Sequence, residues 1–477
     1  MNVLLIQPPD AQPAVEAIDS SGGLAQGIMP PWDLMCVQTF LQKHTRHISR
    51  FIDCRLMHDL ERELVSQIET LAPPRILVVN CPTLSLGQAA AVLDMAKRHF
   101  PAMRTVLCGA YPSTFPDQVA DIPRVDFALA GDPEPILRNL LDYIDVEQRL
   151  KRVPGLILRN QRDAKPYWLP RLHSLSMPDW DGVYWGDYTT GGGTMVCRAE
   201  IRLSRGHSRT NADRAFDGLS EPLRLWPMER LAKQMLKCVH TEVNEAVLSD
   251  PPGVWTHDRL MEWATLLAHQ RNAQPWSVRV LPMEFSEDLI EQLKQARCRR
   301  VHVVFPTCDK VLFKRYGLPA DLRGFFKTVQ SMASGSVQLC AHIWVGGPEE
   351  TRGETERATA MLRKLGHNPY IIEPFPFTLD SPLYQAVREA ETPLPGLTEW
   401  IQWSRDPWIK ERPVALWGGR EQVRPMEQEI RRIHWLLNRT PSRAFTKLLR
   451  TLRSRNWIEL LEDKAIGWLH RRRSAEL

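Results

Sequence analysis

Between Met1 and about residue 145, five short apolar runs alternate with amphipathic segments, and this rhythm restricts the fold more than any other feature. The runs are Val3 to Ile6, His47 to Asp53, Arg75 to Asn80, Arg104 to Cys108 and Phe127 to Ala130. Between them lie Trp32 to Lys43, Asp59 to Leu71, Ser85 to His99 and Glu134 to Ile144, each with helical spacing of its apolar residues. Short strands joined by helical crossovers pair in parallel. The expectation is an α/β, doubly wound sheet of flavodoxin type over residues 1–148. Ligands of such sheets sit beyond the carboxyl ends of the strands, where glycine lets backbone come close. That places Gln7, Pro8, Pro9, Thr83, Ser85, Gly109, Ala110, Tyr111, Gly131 and Glu134 on the rim of a site.

Residues 149–190 are expected to form a linker. Arg152 to Asp187 is rich in Pro and Trp and should run extended along the surface, and Gly191-Gly192-Gly193 then frees the chain. Six more apolar runs follow near Ala199 to Leu203, Glu245 to Leu248, Trp276 to Val280, Arg300 to Phe305, Gln338 to Val345 and Pro369 to Glu373. With helices between them, they predict a partial (β/α)6 barrel over 191–385, again with function at the carboxyl ends. Residues 386–477 read as a mostly helical, basic extension. Arg431, Arg432, Arg439, Arg450 and Arg471 to Arg473 are interleaved there with Trp435, Leu449, Trp457 and Trp468. Such a segment suits capping of the barrel first, and behind that an anionic membrane surface, RNA or a partner protein.

The chain has 477 residues and no apolar run near the roughly 18–20 residues that a membrane span needs. No basic segment precedes Val3, so the expected location is cytoplasmic, with peripheral membrane contact through the C-terminal segment. The nine cysteines include no C-x-x-C pair, and Cys54, Cys81, Cys108, Cys298 and Cys340 sit in or beside apolar runs. They are read as reduced core thiols. A net charge of +5 is mild for this length and gives no reason to expect nucleic acid. No Ser/His/Asp arrangement, phosphate loop or paired-carboxylate motif points to a hydrolase or a kinase.

Several segments, in order, resemble the radical S-adenosylmethionine (SAM) proteins that carry a cobalamin-binding domain. The opening Val3-Leu4-Leu5-Ile6-Gln7-Pro8-Pro9 is similar to that domain's first strand and loop. Gly109-Ala110-Tyr111-Pro112-Ser113 resembles its G-G-x-H-P-T, and Val125 to Glu134 its V-D-x-x-x-x-G-E-x-E. Gly346-Gly347-Pro348-Glu349-Glu350-Thr351 resembles the family's G-x-P-G-E-T, and Pro374 to Tyr384 its P-x-P-G-T-P-L-Y. The resemblance covers roughly residues 1 to 385. It implies cobalamin at the first rim and, ranked behind it, SAM near Asp250, Gly346, Gly347 and Pro348. Ala110, Tyr111 and Pro133 depart from the family pattern at the close-approach points of that rim. The D-x-H-x-x-G signature of a lower axial histidine is absent, and Asp53 to His58 has the wrong spacing.

The largest departure is at Ser204-Arg205-Gly206, where the family continues C-x-x-x-C-x-x-C and this chain places His207, Asn211 and Arg214. A [4Fe-4S] cluster that activates SAM needs three close thiolates, and a guanidinium has no lone pair for iron. The cluster is therefore expected to be absent, leaving no metal at these positions. A non-catalytic partner or accessory subunit of an active homologue or pathway enzyme, able to hold cobalamin or a nucleoside, is the first reading. A cobalamin-dependent, non-radical methyltransferase using SAM is the second, and a radical enzyme with an atypical cluster site the third.

Overall fold

Alternation along each strand of the first sheet feeds two separate cores, and this is what holds its strands in parallel register. The computed structural model describes residues 1–9, 18–19, 28–82, 85–119, 121–159, 164–188, 197–206, 222–238, 241–270, 273–305, 337–345 and 370–374. Strands β1 (Asn2–Gln7), β2 (Ile18–Asp19), β3 (Ile48–Asp53), β4 (Arg75–Asn80), β5 (Arg104–Cys108), β6 (Phe127–Leu129) and β7 (Leu156–Leu158) come from the first third of the chain. Six of them form one sheet in the order β3-β1-β4-β5-β6-β7, parallel except for β7. Leu4, Ile6, Leu77, Val79 and Leu107 pack on one face against the helices Leu60–Glu69 and Leu86–His99. Val3, Leu5, Ile76, Val78 and Val106 pack on the other against Trp32–His44 and Pro133–Tyr143. A one-residue slip would exchange the two sets. Apart from β7, this is the strand order of a flavodoxin-type sheet, and its crossover reversal lies between β1 and β4.

The second sheet comprises β8 (Arg198–Ile201), β11 (Glu245–Leu248), β12 (Trp276–Val280), β13 (Cys298–Phe305), β14 (Gln338–Val345) and β15 (Tyr370–Pro374), parallel and in sequence order. That is the order of a (β/α)6 barrel left open. β2 joins β15 antiparallel, and the short strands β9 (Ser204–Arg205) and β10 (Arg224–Leu225) form a separate ribbon. The helices Met228–Lys237, His257–Ala268 and Glu287–Gln295 cover one face, the last two begun by Thr256 and Ser286 side chains that accept backbone N–H groups.

The segment Arg152 to Asp187 departs from the expectation of an extended surface linker. β7 extends the first sheet, and Leu172, Leu175, Met177, Trp180 and Trp185 are buried in the core of the second, where Trp180 lies between Trp32 and Trp185. Prolines kept this stretch out of helix, but its large apolar rings are worth roughly 1.5–3 kcal/mol each when buried. Burial outweighed the extended surface path. Among the described residues, no helix is long and apolar enough to cross a membrane. The predicted C-terminal extension 386–477 lies outside the described residues.

Candidate functional site

Where the order of the first sheet reverses, the amide Nδ2 of Asn80 at the end of β4 donates to Oε1 of Gln7 at the end of β1, 2.9 Å away. This bridge floors a cavity of about 430 Å³ between the two sheets. Its first-sheet wall includes Trp32, Asp33, Arg55 and Pro82, and its second-sheet wall is Glu200 and Arg202. Glu200 belongs to β8 and Arg202 follows it by two residues, so both project to one side. Arg202 donates through Nε to Glu200 Oε1 at 2.7 Å and through Nη1 to Asp33 Oδ2 at 3.0 Å, which ties the sheets together across the cavity. Arg55 is held by Asp53, with Nη2 to Oδ2 at 2.6 Å and Nε to Oδ1 at 2.8 Å. The Tyr188 hydroxyl donates to that same Oδ2 at 3.1 Å, and burial pushes the phenol up, with the Asp53 charge adding to it. The walls therefore offer amides, guanidinium groups and carboxylates around an indole, a lining suited to a polar ligand with a flat apolar part.

The other rim residues do different work. Pro8 is buried and Pro9 half-buried after Gln7, and Thr83 lies outside the described residues. Ser85 is buried, with its N–H on the Pro82 carbonyl at 2.8 Å. Gly109 has φ +104°, and a Cβ there would lie 2.5 Å from Asn80 Oδ1 and 3.0 Å from Cys81 N. Gly131 has φ +110°, and its Cβ would come 2.0 Å from the Tyr167 carbonyl oxygen. At both glycines the chain's own atoms, the Asn80 side chain with the Cys81 backbone and the Tyr167 backbone, occupy the space a Cβ would need. Ala110 opens the short helix Ala110–Thr114. Tyr111 is fully buried, stacked on Phe115, its hydroxyl donating to Gln118 Oε1 at 2.9 Å, so it points into the core and not across the rim.

Glu134 is fully buried and accepts both terminal nitrogens of Arg205, at 2.9 and 2.5 Å. Its neighbour Asp132 accepts both terminal nitrogens of Arg224, at 2.5 and 3.0 Å, and the Leu169 N–H at 2.7 Å. The ribbon β9–β10 places Arg224 opposite Arg205 in register. The acidic turn after β6 is therefore clamped by two arginines from the downstream ribbon β9–β10. The sequence places Asp132 and Glu134 on the expected ligand rim, and Arg224 carries no signal of its own there. The Ser204-Arg205 pair was visible, but its partners, about 70 residues upstream, carried no local signal.

Asp250 is equally occupied. Its Oδ1 accepts the Ser204 N–H and hydroxyl, both at 2.7 Å, and its Oδ2 accepts the Leu203 N–H and Trp255 Nε1, both at 3.0 Å. Burial pushes this carboxyl up, and the donors from Leu203 and Ser204 pull against it. The carboxylate fixes the turn that launches the loop at Gly206. His207, Asn211 and Arg214, and likewise Gly346, Gly347 and Pro348, lie outside the described residues. The eight described cysteines are all buried, and burial holds Cys54, Cys108 and Cys238 up at about 12, so none is a ready thiolate.

On the second sheet, the face turned from the helices is polar. Arg198, Glu245, Ser277, Arg279, Arg300, His302, Cys340 and His342 occupy it by alternation. Arg198 is paired with Glu245 at 3.3 Å. His302 Nδ1 and His342 Nε2 lie 2.7 Å apart, and His302 is held well below the usual imidazole range by burial first, then by His342 and nearby arginines. Sequence reading passed over both histidines.

No protein-family profile matches the chain, and no curated protein matches it. Solved structures do. The radical SAM methyltransferase TsrM from Kitasatospora setae, with tryptophan substrate and a SAM analogue bound, has a TM-score of 0.61 at 17% identity, covering 76% of this chain and 71% of TsrM. TsrM with cobalamin and a [4Fe-4S] cluster bound also has a TM-score of 0.61, at 14% identity, covering 82% and 76%. The cobalamin-dependent SAM radical enzyme OxsB, with aqua-cobalamin and SAM bound, has a TM-score of 0.58 at 14% identity. The match covers 84% of this chain and 56% of OxsB, so the chain spans little more than half of that enzyme. The chain has the α/β fold of these cobalamin-dependent radical SAM enzymes.

Proposed function

We propose that the protein is a cluster-free relative of these enzymes that serves as an accessory partner, holding a corrin edge or a nucleoside at the cavity between β1, β4 and β8. The observation that carries this is the loop launched by Ser204-Arg205-Gly206. Its anchor is intact, with Asp250 and Glu134 holding Ser204 and Arg205, while its sequence offers His207, Asn211 and Arg214 in place of thiolates. Scaffold retained without ligands suits binding better than radical initiation.

The donors on the cavity wall fit a corrin in part. Cobalamin is ringed by amide arms, and Gln7, Asn80, Arg55 and Arg202 are groups that hydrogen-bond amides. The cavity volume of about 430 Å³ takes one edge of such a molecule, or a whole nucleoside. When bound, cobalamin would supply a cobalt centre able to carry a methyl group. That keeps polar methyl transfer from SAM as the second reading, with the same residues orienting the corrin edge. The arginine-rich segment 418–477 is where a partner protein or membrane surface would be met.

The test is anaerobic reconstitution of the full chain with iron, sulfide and hydroxocobalamin, then desalting, an absorption spectrum and iron and cobalt analysis. Cobalt without iron is the expected result, and added SAM then separates carrier from methyltransferase by turnover. Stoichiometric iron and sulfide would overturn the cluster-free reading. Neither metal, with no nucleoside bound in calorimetry, would overturn the cavity assignment.

A further inference from the structure

We propose that His302, Cys340 and His342, on the polar face of the second sheet, form a binding site for one zinc-class divalent transition-metal ion. None of the three lines the cavity, and nothing in the resemblance assigns them.

The geometry comes from strand register. His302 pairs with Cys340, and Val304 with His342, so the three side chains share one face of adjacent strands β13 and β14. One ligand atom from each lies within 4.8 Å of the other two. Zinc takes nitrogen at about 2.0–2.1 Å and sulfur at about 2.3 Å, so tetrahedral ligands stand roughly 3.3–3.7 Å apart. The sulfur separations need only a modest closure. The imidazole nitrogens, 2.7 Å apart, need to open by about half an ångström, the change expected when a shared proton gives way to a metal ion. The rings already meet edge to face, at 67° and 4.8 Å between centroids, so neither blocks the other's lone pair.

Chemistry narrows the ion. Two imidazoles and a thiol suit zinc, cobalt or copper and exclude magnesium and calcium, which prefer oxygen. Among the described residues three side chains converge, and three protein ligands leave a fourth tetrahedral position, the pattern of catalytic zinc sites. Cys340 and His342 are almost fully buried, which shields the site from bulk water. Arg300, Arg279 and Arg198 act on His302 electrostatically and oppose a dication, while Glu245, paired with Arg198 at 3.3 Å, offsets part of that charge. Binding therefore depends on Cys340 entering as thiolate, since coordination deprotonates a thiol and cancels one charge.

The experiment is a Co²⁺ titration of the chelator-stripped full chain, followed by absorption spectroscopy and competition with Zn²⁺. One equivalent of Co²⁺ should produce a thiolate-to-cobalt charge-transfer band and intense tetrahedral d–d bands, both bleached by one equivalent of Zn²⁺. Cys340→Ser should abolish the charge-transfer band, while Cys238→Ser, in the apolar core on the helix side, keeps it. His342→Gln and His302→Gln should each weaken Co²⁺ binding on the order of 100-fold or more, since even loss of a supporting contact costs 10–100-fold. Urea unfolding checks that each variant is folded, and a misfolded Cys340→Ser leaves the two histidine variants to decide. Absence of the bands in folded wild type, or their persistence in folded Cys340→Ser or in both histidine variants, would overturn the site.

Discussion

The double clamp on the acidic turn predicts a specific loss when one arginine is removed. Asp132 is 1% exposed and Arg224 5% at the side chain, so Arg224→Met leaves a carboxylate out of water with little compensation. Its remaining donors are the Leu169 N–H at 2.7 Å and an Arg205 nitrogen at 3.4 Å already committed to Glu134. Breaking one side of a buried ion pair costs about 3–5 kcal/mol, and methionine retains most of the stem packing, which favours about 3 kcal/mol. With a urea slope of about 3 kcal/mol/M, that is a midpoint shift near 1 M. Trp168 lies 5.5 Å from the Arg224 guanidinium, so tryptophan fluorescence reports locally as well as globally. Asp132→Asn removes the charge that Arg224→Met strands, and the double variant should recover about 2 kcal/mol relative to additivity. Additive single effects within about 0.5 kcal/mol, or a loss below that size for Arg224→Met, would refute the clamp as an energetic link between the turn after β6 and the ribbon β9–β10.

Four further outcomes follow from the geometry. Asp250→Asn turns an amide nitrogen toward two of four donors and should cost about 2–4 kcal/mol in chemical denaturation. Gly131→Ala forces a Cβ against the Tyr167 carbonyl at positive φ and should lower stability by on the order of 3 kcal/mol or prevent folding, whereas Gly182→Ala, with nothing within 4 Å, should cost only the backbone strain of about 1 kcal/mol. Tyr188→Phe loses one hydrogen bond to Asp53 and should cost about 1 kcal/mol by the same measurement. Because Cys54, Cys108 and Cys238 stand at about 12, well above the ordinary thiol value, their thiolate fraction at pH 8 is about 10⁻⁴. Iodoacetamide at pH 8 should leave all three unmodified by mass spectrometry until urea is added, and native labelling within minutes would contradict their burial.

Strand positions of the first sheet were legible because its runs are apolar enough to be buried on both faces, and those of the second because every other residue is apolar and faces the helices. β1, β3, β4, β5 and β6 fall where the apolar runs lie, and so do the six strands of the second sheet. β7 was missed because Leu156 to Leu158 is three residues long, and the ribbon β9–β10 because two residues per strand leave no period to detect. The site was legible only in outline. Strand ends correctly brought Gln7 to the cavity, but Asn80, Glu200 and Arg202 are charged or polar residues inside or just beyond strands, and only pairing shows that they face one space. Glycine gave a misleading signal: Gly109 and Gly131 mark close approach, as expected, yet the approaching groups are Asn80 and Tyr167 of the chain itself. A close-approach glycine reports that something must fit against the backbone, and sequence alone does not say whether it is ligand or protein. The same ambiguity governs Glu134. An acidic residue after a glycine turn suits a ligand rim, but Glu134 is buried under Arg205, so the charge it answers comes from the chain's own ribbon β9–β10, and only the fold brings that partner, about 70 residues downstream, to its side.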